Sequence, residues 1–255
     1  MIKLEKTEVI GWGHAIRGMR NPMNSWEKSD SFLCKKCINQ SIDSDECYID
    51  VRGRDIDKYY SDGCYIVGEN DLKLMKSLAK SGTDHRKFMR MIAVYVDITA
   101  PLYWWKEMDT YKVGTVANSC STMHKIHAYN FDRSDFSCEK LLPPSLQALD
   151  NTITELNFWR NIFINGGHVH VRNDMVIDFD ARDKRVWDQM IQLLPSSYNQ
   201  KRTVMLNYEV LANIYKSRKN HKLDEWHVFC EWIESLPYAT ELICARKEDE
   251  NGTQV

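Results

Sequence analysis

The stretch MIAVYVDITAPLYWWKEMDTYK, residues 91–112, decides the fold class of this chain. Its first part, Met91 to Ile98, is rich in β-branched and aromatic residues and alternates in character, as a half-buried strand does. Pro101 then suits the opening of a helix, where its missing N–H is no loss, and the spacing predicts that helix through Tyr111. Upstream, Asn70 is expected to cap a helix carrying Leu72, Met75, Leu78 and Ala79, with Gly82 at its C′ position. Downstream, Pro144 to Asn165 places Leu146, Leu149, Ile153, Leu156, Trp159 and Ile162 at three- and four-residue steps before Gly166-Gly167. Asp183 to Leu194 repeats the pattern up to Pro195, Thr203 to Ser217 and Leu223 to Leu236 read as two further amphipathic helices, and Val169 to Phe179 reads as a hairpin. The expected class is α+β, a minority mixed or antiparallel sheet packed with several long helices.

Outward from this core the signals weaken. Residues 1–30, rich in Gly, Arg, Asn and Trp, read as ordered loop with short elements, and 34–65 as a polar insertion or lobe. The expected organisation is a single domain over 1–255: an extension and Cys-containing lobe at 1–69, a core at 70–236 and a tail at 237–255. Cys34-x-x-Cys37 with Cys47 and Cys64 holds enough sulfur for zinc, but a second C-x-x-C is missing, so ordinary thiols and no metal are expected.

Composition excludes several classes. A hydrophobic content of 43% supports a real core, and the net charge of −2 gives no global basic field for non-specific nucleic-acid binding. The N-terminal MIKLEKTEVIGWGH lacks the pattern of a signal peptide, and no run reaches the roughly 18 apolar residues of a membrane helix, so a cytoplasmic protein with reduced thiols is expected.

The chemistry is densest between Tyr103 and Lys125. Trp105 and Asp109, and Glu107 and Tyr111, are four apart and would share helix faces, mixing flat rings with carboxylates beside Lys112. Such a face can stack a base and bond its edge, although an amphipathic helix with core aromatics has the same pattern. Asn118, Ser119, Ser121, Thr122, His124 and Lys125 then crowd hydroxyls, an amide and cations into eight positions, as a phosphate-binding helix start does. Cys120 and His124, at i and i+4 in a helix, would also set a thiol beside an imidazole, against the commoner reading of a structural Cys. Ser196 to Thr203, carrying Tyr198, Gln200 and Arg202, reads as a loop entering a helix whose N-terminus attracts anions. Asn207 and Arg218 fall on about one face of that helix.

The order of these pieces resembles the flavin-dependent thymidylate synthases, which convert dUMP to dTMP using FAD, NADPH and methylenetetrahydrofolate. Gly82 to His85 looks like the family's Gly/His segment, and Asp109 to Met123 occupies the place of its motif R-H-R-x-x-S-x-N-E-x-S-x-R-Y-S. Leu194-Pro195, Asn207, Arg218 and the Leu223–Leu236 segment follow in the family's order. Ser119 matches the motif's second serine, whereas Arg-His-Arg falls on Asp109-Thr110-Tyr111, a carboxylate where the family has cations. The resemblance implies Arg218, His85 and Ser119 as catalytic residues, and Trp105, Asp109, Tyr111, Lys112, Asn118, Ser121, Thr122, His124, Tyr198, Gln200, Arg202 and Asn207 as nucleotide or cofactor contacts. It also implies a homo-oligomer with sites at subunit interfaces. The chain is similar in addition to proteins carried by phages of Gram-positive gut bacteria, which would place it in the host cytoplasm.

Three readings follow. The chain is a divergent synthase acting on C5 of dUMP or a related pyrimidine deoxynucleotide. Alternatively it keeps the pocket without the chemistry, as a phage protein sequestering a nucleotide signal would. Or it is an interaction module using exposed aromatics such as Trp12, Trp26 and Trp226.

Overall fold

The computed structural model describes residues 2–33, 65–171 and 175–245. Cys34, Cys37, Cys47 and Cys64, and the expectation of a polar lobe around them, lie outside the described residues. The elements in chain order are β1 (Lys3–Ile10), α1 (Trp12–Arg20), β2 (Phe32–Leu33), β3 (Tyr65–Ile66), α2 (Glu69–Lys80), β4 (Ala93–Pro101), α3 (Leu102–Met108), β5 (Val116–Ser119) and α4 (Thr122–Lys125). There follow α5 (Pro143–Asn165), β6 (Gly167–His170), β7 (Val176–Phe179), α6 (Lys184–Leu193), β8 (Asn199–Asn207), α7 (Tyr208–Arg218) and α8 (Asp224–Ser235). The class is α+β. One sheet has the strand order β1-β4-β8-β5, and β2-β3 and β6-β7 form two antiparallel ribbons.

The chain divides into two compact units, one of Met1–Lys3, Thr99–Asp109 and Ser119–Arg202, the other of Leu4–Ile98, Thr110–Asn118 and Thr203–Val255. In the first, α5 presents Leu149, Ile153, Leu156, Ile162 and Phe163 to Val186 and Met190 of α6, with Ile126, Phe131 and Phe136 completing the core. In the second, β4 buries Val94, Val96 and Ile98 at alternate positions, as a pleated strand must, and α7 buries Leu211 and Ile214. Tyr208 donates its hydroxyl to Pro237 O at 2.6 Å and meets Trp12 edge-on at 5.4 Å.

Several expectations need correction. Residues 1–30 are not mainly loop, because β1 and α1 form there. Gly11 makes that turn at φ 95°, and a Cβ on it would lie 2.1 Å from Met91 O. Residues 199–207 are strand rather than loop and helix start: Gln200, Val204 and Leu206 are buried with period two, and Val204, Tyr208 and Leu211 mimic a helical step only because strand and helix meet there. Asn70 does not cap α2. Gly68 holds the N-cap, and the carboxylate of Asp30 accepts from the backbone N–H of Asn70 and Asp71 at 2.8 and 3.1 Å. That carboxylate fills the space a Cβ on Gly68 would need.

Trp12 and Trp226, read as exposed partners' hooks, are 2% and 0% exposed, because a large ring contributes most where water leaves it, whereas Trp26 is 50% exposed.

Asp71 on α2 is fully buried and accepts from Arg20 Nε at 2.6 Å, from the hydroxyls of Ser29 and Ser31, and from the N–H of Asp30 and Ser31. Burial pushes its carboxyl up, but the hydrogen bonds from Ser31, Ser29 and Arg20, with the Arg20 charge, outweigh burial and hold it below the ordinary range. A carboxyl depressed in the folded state contributes stability above its unfolded pKa, lost as pH falls through the folded one. Asp71→Asn should cost about 3–5 kcal/mol at pH 7, since Arg20 is left buried and uncompensated. In urea titrations the gap to the parent should narrow at pH values below about 4; a gap constant with pH would refute the ion-pair account.

Candidate functional site

The first unit gathers four of the expected residues around β8 and α3. Trp105 is buried and donates its indole N–H to Gln200 O at 2.9 Å. Gln200 donates its amide to Cys120 O at 3.0 Å, and Cys120 N–H donates to Lys201 O at 2.9 Å. Arg202 donates to Gln200 Oε1 at 3.0 Å and to Asp109 Oδ1 at 2.7 Å, and its guanidinium lies 4.1 Å over the Trp105 ring. The Asp109 carboxylate is therefore answered by an arginine from β8. The pair leaves little net charge at that place.

Other residues of the stretch are arranged differently from the helical expectation. Because α3 ends at Met108, with Asp109 as its C-cap, Glu107 and Tyr111 do not share a helix face. The short α4 is capped by Ser121, whose hydroxyl accepts from His124 N–H at 3.1 Å. Cys120 precedes that cap, so the i, i+4 geometry for an imidazole-activated thiol is absent. Ser119 and His124 are exposed, and the Thr122 side chain lies outside the described residues. The Tyr198 ring is set edge-on to Phe136 at 5.7 Å and to Phe131 at 6.4 Å, and burial pushes its hydroxyl up. Its ring thus serves the core.

The second unit holds a separate group. Arg218 ends α7, donates Nε–H to the Tyr111 hydroxyl at 2.9 Å, and lies 4.8 Å over Trp226 and 5.6 Å over Tyr111. Tyr111 and Trp226 are themselves edge to face at 6.2 Å. Asn207 does not join this group. It caps α7 by accepting from Val210 N–H at 3.0 Å and donates to Gly114 O at 3.4 Å. Arg218 lies eleven positions beyond it along α7, about 16 Å at ~1.5 Å per residue, so one cavity does not take both. Lys112 and Asn118 are exposed, as is His85, whose backbone N–H closes on Gly82 O.

No protein-family model and no curated protein matches the sequence. Among solved structures, the backbone is similar to thymidylate synthase X of Helicobacter pylori with FAD and dUMP, at a TM-score of 0.58 and 13% identity over 97% of this chain and 100% of that one. The chain carries the fold of the flavin-dependent thymidylate synthases. A second structure of the Helicobacter pylori enzyme complexed with FAD and dUMP matches at a TM-score of 0.57 and 13% identity, over 94% of this chain and 97% of that one. Trp226 lies beneath the Arg218 guanidinium, a contact that the sequence, which suggested Trp226 only as an exposed aromatic, did not show. Its signal was an aromatic eight positions after a cation, across a turn, and helical periodicity does not read across turns. Among the described residues no group of three or more His, Cys, Asp or Glu is placed to hold a metal, and no helix is long and apolar enough to cross a membrane.

Two outcomes check this geometry. A double-mutant cycle of Asp109→Asn with Arg202→Gln should give a coupling of about 0.5–1 kcal/mol, because Asp109 is 50% exposed, and 1 M salt should reduce it. Peptide mapping after iodoacetamide treatment of the folded chain should find the exposed Cys120 modified before the buried Cys230. Cys230 should stay protected, since burial, and then the charge of Glu234, push its thiol up to about 12. Equal rates at the two thiols would contradict their placement.

Proposed function

We propose that the chain binds a pyrimidine deoxynucleotide, with Arg218 meeting its phosphate. The observation that carries this is the mounting of Arg218 between Tyr111 and Trp226. A guanidinium is planar and can pair two phosphate oxygens at once. When aromatic faces and a hydroxyl already fix its plane, less side-chain entropy is lost on binding. The solved synthases of this fold hold dUMP and FAD, and the resemblance assigns their arginine to Arg218. In this reading residues 70–236 are the ligand-bearing core. His85, Lys112 and Asn118, in the unit that carries Arg218, are its exposed polar contacts, and the chain works as a homo-oligomer.

The residues present do not fit a flavin diphosphate in the family's manner. Where the resemblance places Arg-His-Arg stand Asp109, Thr110 and Tyr111, and the arginine beside Asp109, Arg202, is already paired with it. A carboxylate near a diphosphate is repulsive, and a paired arginine offsets that repulsion without adding attraction. The chain's own residues therefore account for binding and orienting a nucleotide, and no step through flavin is derived. One observation favours a second reading, a C5 methyl transfer using FAD, NADPH and methylenetetrahydrofolate: the backbone match runs nearly the full length of both chains.

Calorimetry with dUMP tests the first reading. Arg218→Gln should weaken binding at least tenfold, about 1.4 kcal/mol, with an unchanged circular dichroism spectrum. Equal affinity in the variant, or no heat across a panel of mono-, di- and cyclic nucleotides, would sink it. Purified protein that is yellow, or takes up added FAD, supports the second reading, and colourless protein that takes up none removes it.

A further inference from the structure

The first unit contains cations that the nucleotide reading leaves unused. His127 follows α4, Arg160 lies on α5, and Arg182 sits in the turn between β7 and α6. Arg182 and the His127 Nε2 are 2.8 Å apart. A guanidinium can only donate, so Nε2 accepts, and a neutral imidazole must then carry its proton on Nδ1. That Nδ1 is buried and has no hydrogen-bond partner. Burial, and then the charges of Arg182, Lys125 and Arg160, lower the His127 pKa and keep the ring neutral.

The surrounding frame is held in place. Arg160 donates to His127 O at 2.9 Å and to Asn130 Oδ1 at 2.5 Å. Asn157 brackets the same loop, accepting from Phe131 N–H at 2.9 Å and donating to Phe131 O at 2.8 Å. Arg182 lies 5.2 Å over Phe163 and adopts φ 69°, a left-handed conformation that a side chain rarely takes. Its backbone N–H is fixed to Phe163 O at 2.8 Å. Strain of this kind persists where surroundings impose it and clusters at functional positions. Among the described residues, the hydrogen-bond partners of Arg160 and Arg182 are all neutral. Three cations therefore converge on one neutral imidazole that has a donor to spare.

We infer that Lys125, His127, Arg160 and Arg182 form an anion site that takes a phosphoryl group of a small molecule. A phosphoryl dianion offsets more of the three positive charges than a carboxylate does. Its tetrahedral oxygens can accept from the two guanidinium groups at once. This site is independent of Arg218 and of the nucleotide reading that rests on it.

The test titrates the full chain with inorganic pyrophosphate, by calorimetry and by 15N histidine NMR. The free protein should show His127 protonated on Nδ1, and pyrophosphate should shift that signal. Arg160→Gln and Arg182→Gly should each weaken pyrophosphate at least tenfold. Glycine at 182 removes the cation while relaxing the left-handed backbone, so that variant stays folded and remains informative. Arg218→Gln should leave the pyrophosphate-induced shift of the His127 signal unchanged, which separates failure here from failure of the nucleotide reading. In the Arg218→Gln protein, displacement of pyrophosphate by dUMP would identify a nucleotide as the phosphoryl source, and no displacement would identify a free anion; both support the site. Absent pyrophosphate binding, an unmoved His127 signal, or undiminished affinity in Arg160→Gln and Arg182→Gly would overturn it.

Discussion

Asn207 is the residue on which the second unit's arrangement turns. Its carboxamide oxygen accepts the N–H of Val210 and starts α7, while its amide N–H fastens the loop at Gly114. A capping side chain answers a backbone donor that water cannot reach, and the strand therefore stops where the cap stands. The residue is 8% exposed, so a substitution that cannot bond leaves buried groups unmet on both sides. From this switch α7 runs to Arg218, and Glu209 in its first turn binds Arg86 and Arg90 at 3.0 and 2.7 Å. Gly114 accommodates the latch because a Cβ there would press on the Asn207 amide at 2.8 Å.

Charge is distributed by pairing rather than by composition. Asp109 and Arg202 neutralise one another beside Trp105. Neutral partners orient a cation without consuming its field, and carboxylates do consume it. The same distinction marks Arg160 and Arg182, whose hydrogen-bond acceptors are backbone, amide and imidazole. A net charge of −2 reveals none of this, since it sums charges without regard to what each one faces.

Much of the fold was legible along the chain because the decisive forces there are local. The run 91–98 alternates, α5 repeats its apolar stripe, Asp183 caps α6, and Gly82 follows α2 at φ 97°. Misreadings arose where two periods overlap or a partner comes from far away. Residues 203–211 carry apolar side chains that satisfy a strand up to Leu206 and a helix from Tyr208, so periodicity alone extends the helix too far. The α2 cap comes from Asp30, some forty residues upstream of the N–H groups it accepts, and no window around Asn70 contains it.

By itself the sequence determined the α+β class, the order of most elements and the candidacy of Arg218, because backbone propensity, apolar spacing and motif order are properties of neighbours along the chain. Only the tertiary structure decided that Asp109 is answered by Arg202, that Trp226 supports Arg218, and that Asn207 is a cap and a latch. It alone brought His127, Arg160 and Arg182 together. Electrostatics and hydrogen bonding act through space over a few ångströms, and residues 93, 8, 93 and 55 positions apart meet at those distances only once the core has closed.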